Sequence, residues 1–153
     1  MTDSPKNPAA DAGGEQLYVL RPAEEDDLGF VIASWVQSYR QQALARDAGA
    51  AYPRQQRRII QHLLEHANVL VACAPDEPRL ILGYAVTGPQ VVHYVYVKQD
   101  FRRIGIARAL VRPYLAAPTA FTHKTHHPIA LPAGWTYCPA AVFFPDLVEQ
   151  VLR

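Results

Sequence analysis

The spacing of apolar residues along this chain changes several times, and each change marks a different element. Leu17 to Arg21 is a short apolar-rich run closed by Pro22, the pattern of a first strand, and the acidic residues from Glu24 to Asp27 suit the first turn of a helix. Leu28, Val31, Ile32, Trp35 and Tyr39 then recur at three- and four-residue intervals, which gives that helix one face to lay on a sheet. A loop containing Gly49 follows. After Pro53, Ile59, Ile60, Leu63 and Leu64 repeat the rhythm with basic residues between them, predicting a second helix that ends near Asn68. Val69 to Cys73, Leu80 to Val86 and Val91 to Val97 are β-rich runs joined by turns at Asp76-Glu77-Pro78 and Gly88-Pro89, a three-stranded antiparallel meander. Gly105 opens a helical segment whose Ile106, Ala109, Leu110 and Leu115 face the sheet until Pro118 stops it. Thr119 to Thr125 reads as another strand. Beyond it, Pro128, Pro132, Gly134 and Pro139 break the pattern, and only Pro145 to Leu152 regains helical spacing.

This order predicts one α/β domain over residues 17–153: a mixed, mostly antiparallel sheet flanked by helices, with a shortened, irregular C-terminal part. Residues 1–16 are rich in Pro, Ala, Gly and Asp and have no apolar face to offset their ordering entropy, so a flexible N-terminal tail is expected. The chain has 153 residues, 50% of them hydrophobic and 19% charged, enough for one real core and no more. Cys73 and Cys138 form neither a CxxC pair nor a zinc-type spacing, which suits a reduced cytoplasmic compartment. No run approaches the length of a membrane span, and no basic-then-apolar leader opens the sequence, so membrane association is not expected. With a formal charge of +1, the whole-molecule field does not steer toward nucleic acid.

The chemistry concentrates between Val91 and Leu115. A valine-rich strand runs through Val95, Tyr96 and Val97 into Lys98-Gln-Asp-Phe101, then Arg102-Arg103-Ile104-Gly105-Ile106-Ala107-Arg108 at the head of a helix. Small residues there let successive backbone amides approach an anion, and the arginines add positive charge, which outlines a pyrophosphate site. An ordinary strand-to-helix connection accounts for the same pattern equally well.

The motif Arg102-x-x-Gly105-x-Ala107, with Phe101 just ahead of it and Val97 five residues before Arg102, resembles the acetyl-CoA signature of the GNAT superfamily of N-acetyltransferases. The resemblance also covers the element order from Leu17 to about Thr125. It implies a GNAT-like fold and acetyl-CoA as co-substrate. By the same resemblance, the backbone from Arg103 to Arg108 would take the pyrophosphate and main-chain groups of Val95 to Val97 the pantetheine arm. The implied reaction is direct attack of a primary amine on the thioester.

His93 stands where such proteins often carry a proton acceptor, and a histidine held structurally on a strand is the competing account. Tyr94 and Tyr96 are expected on the strand face opposite His93, as packing residues. Where the family has a helix bearing an acid tyrosine, this chain has a Pro-broken segment, and Tyr137 is the nearest candidate by order. His123, His126, His127 and Cys138 are metal-capable types without ligand spacing, so no metal is expected. Arg54, Arg57 and Arg58 begin the second helix and read as a solvated basic face. The acceptor class is not legible. A nucleic-acid base-modifying relative and a non-catalytic acyl-CoA-binding module are the alternatives.

Overall fold

The structure, a computed structural model, describes residues 16–40, 51–123 and 131–153. The expected tail up to residue 15, the Gly49 loop, Thr125, His126 and His127 lie outside the described residues. The elements are β1 (Val19–Pro22), α1 (Glu25–Arg40), α2 (Ala51–Leu64), β2 (Asn68–Cys73), β3 (Ile81–Gly88), β4 (Val91–Val97), α3 (Ile106–Leu110), β5 (Thr119–Phe121), β6 (Trp135–Tyr137) and α4 (Leu147–Leu152). Short 3₁₀ turns lie at Gln99–Phe101, Arg112–Tyr114 and Pro139–Val142.

Among the described residues the strands form one six-stranded sheet in chain order. β1 to β4 run antiparallel, β5 is parallel to β4, and β6 is parallel to β5. The mixed, mostly antiparallel α/β architecture therefore holds, and the meander is as expected. Two details differ. The segment after Gly134 is not wholly irregular, because Trp135–Tyr137 adds a sixth strand that pairs with β5, and Trp135 donates from Nε1 to the Tyr114 carbonyl at 3.1 Å. Three residues are too few to display an alternating pattern. The helix opened by Gly105 also ends at Leu110 and tightens into a 3₁₀ turn, since Pro113 has no amide to continue the α ladder.

Helices cover both faces of the sheet. On one, Val31, Trp35, Tyr39, Ile60 and Leu63 of α1 and α2 pack against Val71, Tyr84 and Val86. On the other, Ile106 and Leu110 of α3 pack against Ala72, Leu82, Ala85 and Val92. β3, between them, is buried at every position, which is why its sequence is a continuous apolar run rather than an alternation. A smaller cluster joins Val91, Ala120 and Cys138 to Val148 of α4.

The turn from β1 into α1 is fixed by Asp27. Its carboxylate accepts the Glu24 amide at 2.7 Å, satisfying a donor that the helix leaves over, and takes two bonds from the Arg21 guanidinium at 2.6 and 3.1 Å. These bonds, Arg21 foremost, hold the Asp27 carboxyl below its ordinary pKa. The Arg21 fork also reaches the Pro78 carbonyl at 2.9 Å, tying the β1 end to the β2–β3 turn.

Candidate functional site

β4 pairs with β3 along its whole length, but among the described residues it pairs with β5 only at Val91 and Val92. Among those residues the sheet therefore opens beyond Val92, and the rest of β4 presents one edge to that gap. Lys98 donates its amide to Leu82 at 2.8 Å, which sets the phase of the ladder. In an antiparallel pair, alternate residues point their main-chain groups to alternate edges, so Tyr94 and Tyr96 bond toward β3 while Val95 and Val97 face the gap. The two valine side chains pack on the α3 side and the two tyrosines on the α1 side.

His93 sits where the register slips. Val92 pairs with Thr87 and Tyr94 with Val86, leaving His93 as the extra residue of a β-bulge. The strict alternation that put His93 opposite Tyr94 and Tyr96 therefore does not apply here. His93 is 6% exposed, with its Nδ1 3.0 Å from the Thr122 hydroxyl. That hydroxyl lies 2.7 Å from His123 Nδ1, which is itself 2.9 Å from the His93 carbonyl. A short polar string thus ties β4 to the end of β5 at the mouth of the gap. Burial pushes both imidazoles down to about 4, so both are neutral at pH 7. Trp35 and Tyr39 of α1 pack against His123, with ring centroids 5.2 and 6.1 Å away, and Trp35 stacks on Tyr94 at 4.5 Å.

After β4 the chain turns through Gln99–Phe101 and reaches Arg102, whose Nε donates back to the Val97 carbonyl at 3.0 Å. Arg103 and Gly105 both take left-handed φ, 67° and 91°. At Gly105 this conformation favours glycine, and the space around it is open. No side chain caps α3, and among the described residues the amides from Ile104 to Arg108 meet no acceptor. Unpaired amides in succession around left-handed residues are the backbone pattern from which anion nests are built. Ile106 is buried against the sheet, so only its backbone takes part, whereas Ile104, Ala107 and Arg108 are exposed.

The open edge of β4 thus runs from His93 through Val95 to Val97, about 13 Å along the strand, and leads into the loop from Arg102 to Arg108. Tyr137 comes from the other side of the opening. It lies on β6, in register with Phe121, which in turn pairs with Val92, so it stands two strands and about 10 Å across the sheet from Val92. Its ring packs on Phe121 at 5.3 Å, and it is 42% exposed. Arg54, Arg57 and Arg58 are exposed on α2. Among the described residues no three His, Cys, Asp or Glu side chains converge as metal ligands, and no helix is long and apolar enough to cross a membrane. Sequence reading did not find the roles of Thr122 and His123 beside His93. A bulge leaves no trace in residue spacing, and His123 stood out only for its residue type.

No protein-family model matches the sequence, and no curated protein matches it. Solved structures do. The chain is similar to the apo form of YjaB from Escherichia coli at 20% identity, over 66% of each chain, with a TM-score of 0.49. It is similar to a histone acetyltransferase HPA2 and related acetyltransferase from Corynebacterium glutamicum at 17% identity, over 66% of this chain and 71% of that one, with a TM-score of 0.48. A GNAT family N-acetyltransferase, YhbS from Escherichia coli in complex with CoA, matches at 20% identity over 69% of this chain and 58% of its own, with a TM-score of 0.46. The chain thus spans 66% of the length of YjaB and 58% of that of YhbS.

Proposed function

We propose that this protein is an N-acyltransferase of the GNAT type, which binds acetyl-CoA at the open end of β4 and transfers the acetyl group to a primary amine. The observation that carries this reading is the run of amides from Ile104 to Arg108 that meet no acceptor among the described residues, set around left-handed Arg103 and Gly105 after a strand whose Val95 and Val97 main-chain groups face a gap in the sheet. A diphosphate seats on the amides, and an amide-bearing arm lies along the strand edge as a further strand would. The thioester then lies near the bulge at His93. The incoming nitrogen bonds to the carbonyl carbon, the carbon–sulfur bond breaks, and the amine proton must leave.

In this reading His93 accepts that proton, with Thr122 and His123 continuing the hydrogen-bonded string. The burial that keeps His93 neutral also makes it a weak base, which favours loss of the proton to water as the second account. Tyr137, on β6 across the opening from β4, is the proposed donor to the departing thiolate. A reduced, cytoplasmic setting accords with Cys73 and Cys138, which are both free and buried.

The test is thiol release from acetyl-CoA across a panel of amines, peptides and nucleic acids, paired with a CoA titration. Gly105→Glu introduces bulk, a like charge and a strained left-handed φ, and is expected to weaken CoA binding on the order of 100-fold with the fold intact. His93→Ala is expected to lower turnover on the order of 100-fold while binding holds. A folded Gly105→Glu protein that binds CoA like the parent rules out this site. Binding without thiol release for any acceptor leaves a non-catalytic acyl-CoA-binding module, and release with nucleic acid alone identifies a base-modifying enzyme.

A further inference from the structure

On the α1 side of β4, five aromatic rings lie in one strip. Trp35 stacks on Tyr94 at 4.5 Å, Tyr94 lies 6.0 Å from Tyr84, Tyr84 stacks on Tyr96 at 5.3 Å, and Tyr96 meets Phe30 edge to face at 6.0 Å. Trp35 and Tyr84 are fully buried and form the base of the strip, while Phe30, Tyr94 and Tyr96 are only half-buried. One cation stands beside them. The Lys98 ammonium sits 5.2 Å from the centre of the Phe30 ring, and among the described residues it has no ion pair and no side-chain hydrogen bond. Asp26, one turn before Phe30, and Asp100, two residues on from Lys98, do not pair with it, and Asp27 is held by Arg21. An unpaired positive charge beside an aromatic wall repels an ammonium and attracts an anion carried on a flat ring. Tyr94 directly follows His93, so the strip begins where the thioester is expected. Tyr94 and Tyr96 stand about 7 Å apart along one face of the strand, roughly the span of a benzene ring with an amine at one end and a carboxylate at the other.

We propose that the acceptor is an aryl amine bearing a carboxylate, its ring lying on Phe30, Tyr94 and Tyr96 and its carboxylate paired with Lys98. The inference rests on the acetyl-CoA reading above and names the substrate class for it. The chemistry of the site favours a nitrogen on a ring over one on an alkyl chain. An alkyl amine is an ammonium at pH 7 and must shed a proton before it attacks. The group at hand, His93, is lowered to about 4 by burial and is too weak a base for that task. An aryl amine is uncharged at pH 7 and attacks as it stands. Once its nitrogen has bonded to the acetyl carbon, that nitrogen is positively charged and gives its proton to a weak base such as His93 or to water. The carbon–sulfur bond then breaks, and the departing thiolate takes up a proton.

The experiment follows thiol release from acetyl-CoA with 4-aminobenzoate, with aniline, which lacks the carboxylate, and with 4-(aminomethyl)benzoate, which moves the nitrogen onto an alkyl carbon. The parent is compared with Lys98→Met and Lys98→Arg, with folds checked by thermal melting and CoA titrated in parallel. In the parent, kcat/KM for 4-aminobenzoate is expected to exceed that for either other amine at least about tenfold. Lys98→Met is expected to lose most of the preference over aniline, through KM rather than kcat and with CoA affinity held, and Lys98→Arg to retain it. Parity of 4-aminobenzoate and aniline in the parent, equal loss of both in Lys98→Met, or faster reaction of 4-(aminomethyl)benzoate overturns this inference and leaves acetyl transfer standing. Calorimetry of 4-aminobenzoate into the CoA-loaded parent decides the case in which no thiol is released. Saturable binding that Lys98→Met weakens supports the site, and no binding overturns it. Failure of the parent to bind CoA removes both readings.

Discussion

Between pH 7 and pH 5 the unfolding free energy is expected to fall by about 4 kcal/mol, through His93 and His123. Burial lowers both imidazoles to about 4 in the folded protein, against an ordinary value near 6.5 once the chain unfolds. The sign follows from where protons bind. Below pH 6.5 the unfolded chain takes up protons that the folded one refuses, so stability is full above that pH and drains away as pH falls toward 4. Each imidazole contributes about 2 kcal/mol over this interval. Asp27, whose carboxyl is held low by Arg21, drains stability in the same direction but in a window below the ordinary carboxylate range. Urea melts at pH 7, 6 and 5 measure the change directly. A flat profile over that range would show that the two rings take up protons without breaking the Thr122 string, contrary to the burial argument.

Gly83→Val is expected to cost about 3 kcal/mol or more and to weaken coenzyme binding at the same time. Gly83 lies on β3 beneath the start of α3. A Cβ there would stand 2.6 Å from the Tyr96 carbonyl oxygen, 3.2 Å from the Ile106 side chain and 3.3 Å from the Val97 side chain. The nearest of these is backbone of the paired strand and cannot swing away, so β4 or α3 has to move. Both elements carry the proposed site. Loss of stability should therefore come with loss of CoA affinity in the folded fraction, and Gly83→Ala should show both effects at smaller size. Denaturant melts with a CoA titration provide the check, and a valine variant as stable as the parent contradicts the close approach.

How far the sequence reveals these features depends on how each residue is constrained. β4 was legible to the residue because Val91 to Val97 is unbroken β-former sequence between a Gly-Pro turn and a polar loop. The Gly105 loop was legible because an uncapped left-handed turn demands a small residue that the chain states outright. Pairing partners leave no such mark. The slip at His93 depends on how β3 faces β4, and β6 depends on β5 offering an edge and Trp135 finding the Tyr114 carbonyl. Tyr137 drew notice by order in the chain, and order cannot tell an adjacent strand from one two positions across a sheet.

The most direct test of the central claim is an amide-resolved NMR titration of the parent protein with acetyl-CoA. Saturable shifts are expected to concentrate on the amides from Ile104 to Arg108 and on Val95 and Val97, donors that meet no backbone acceptor among the described residues. Arg54, Arg57 and Arg58 on α2 should stay still. Shifts confined to α2, or none at millimolar acetyl-CoA, would contradict the account.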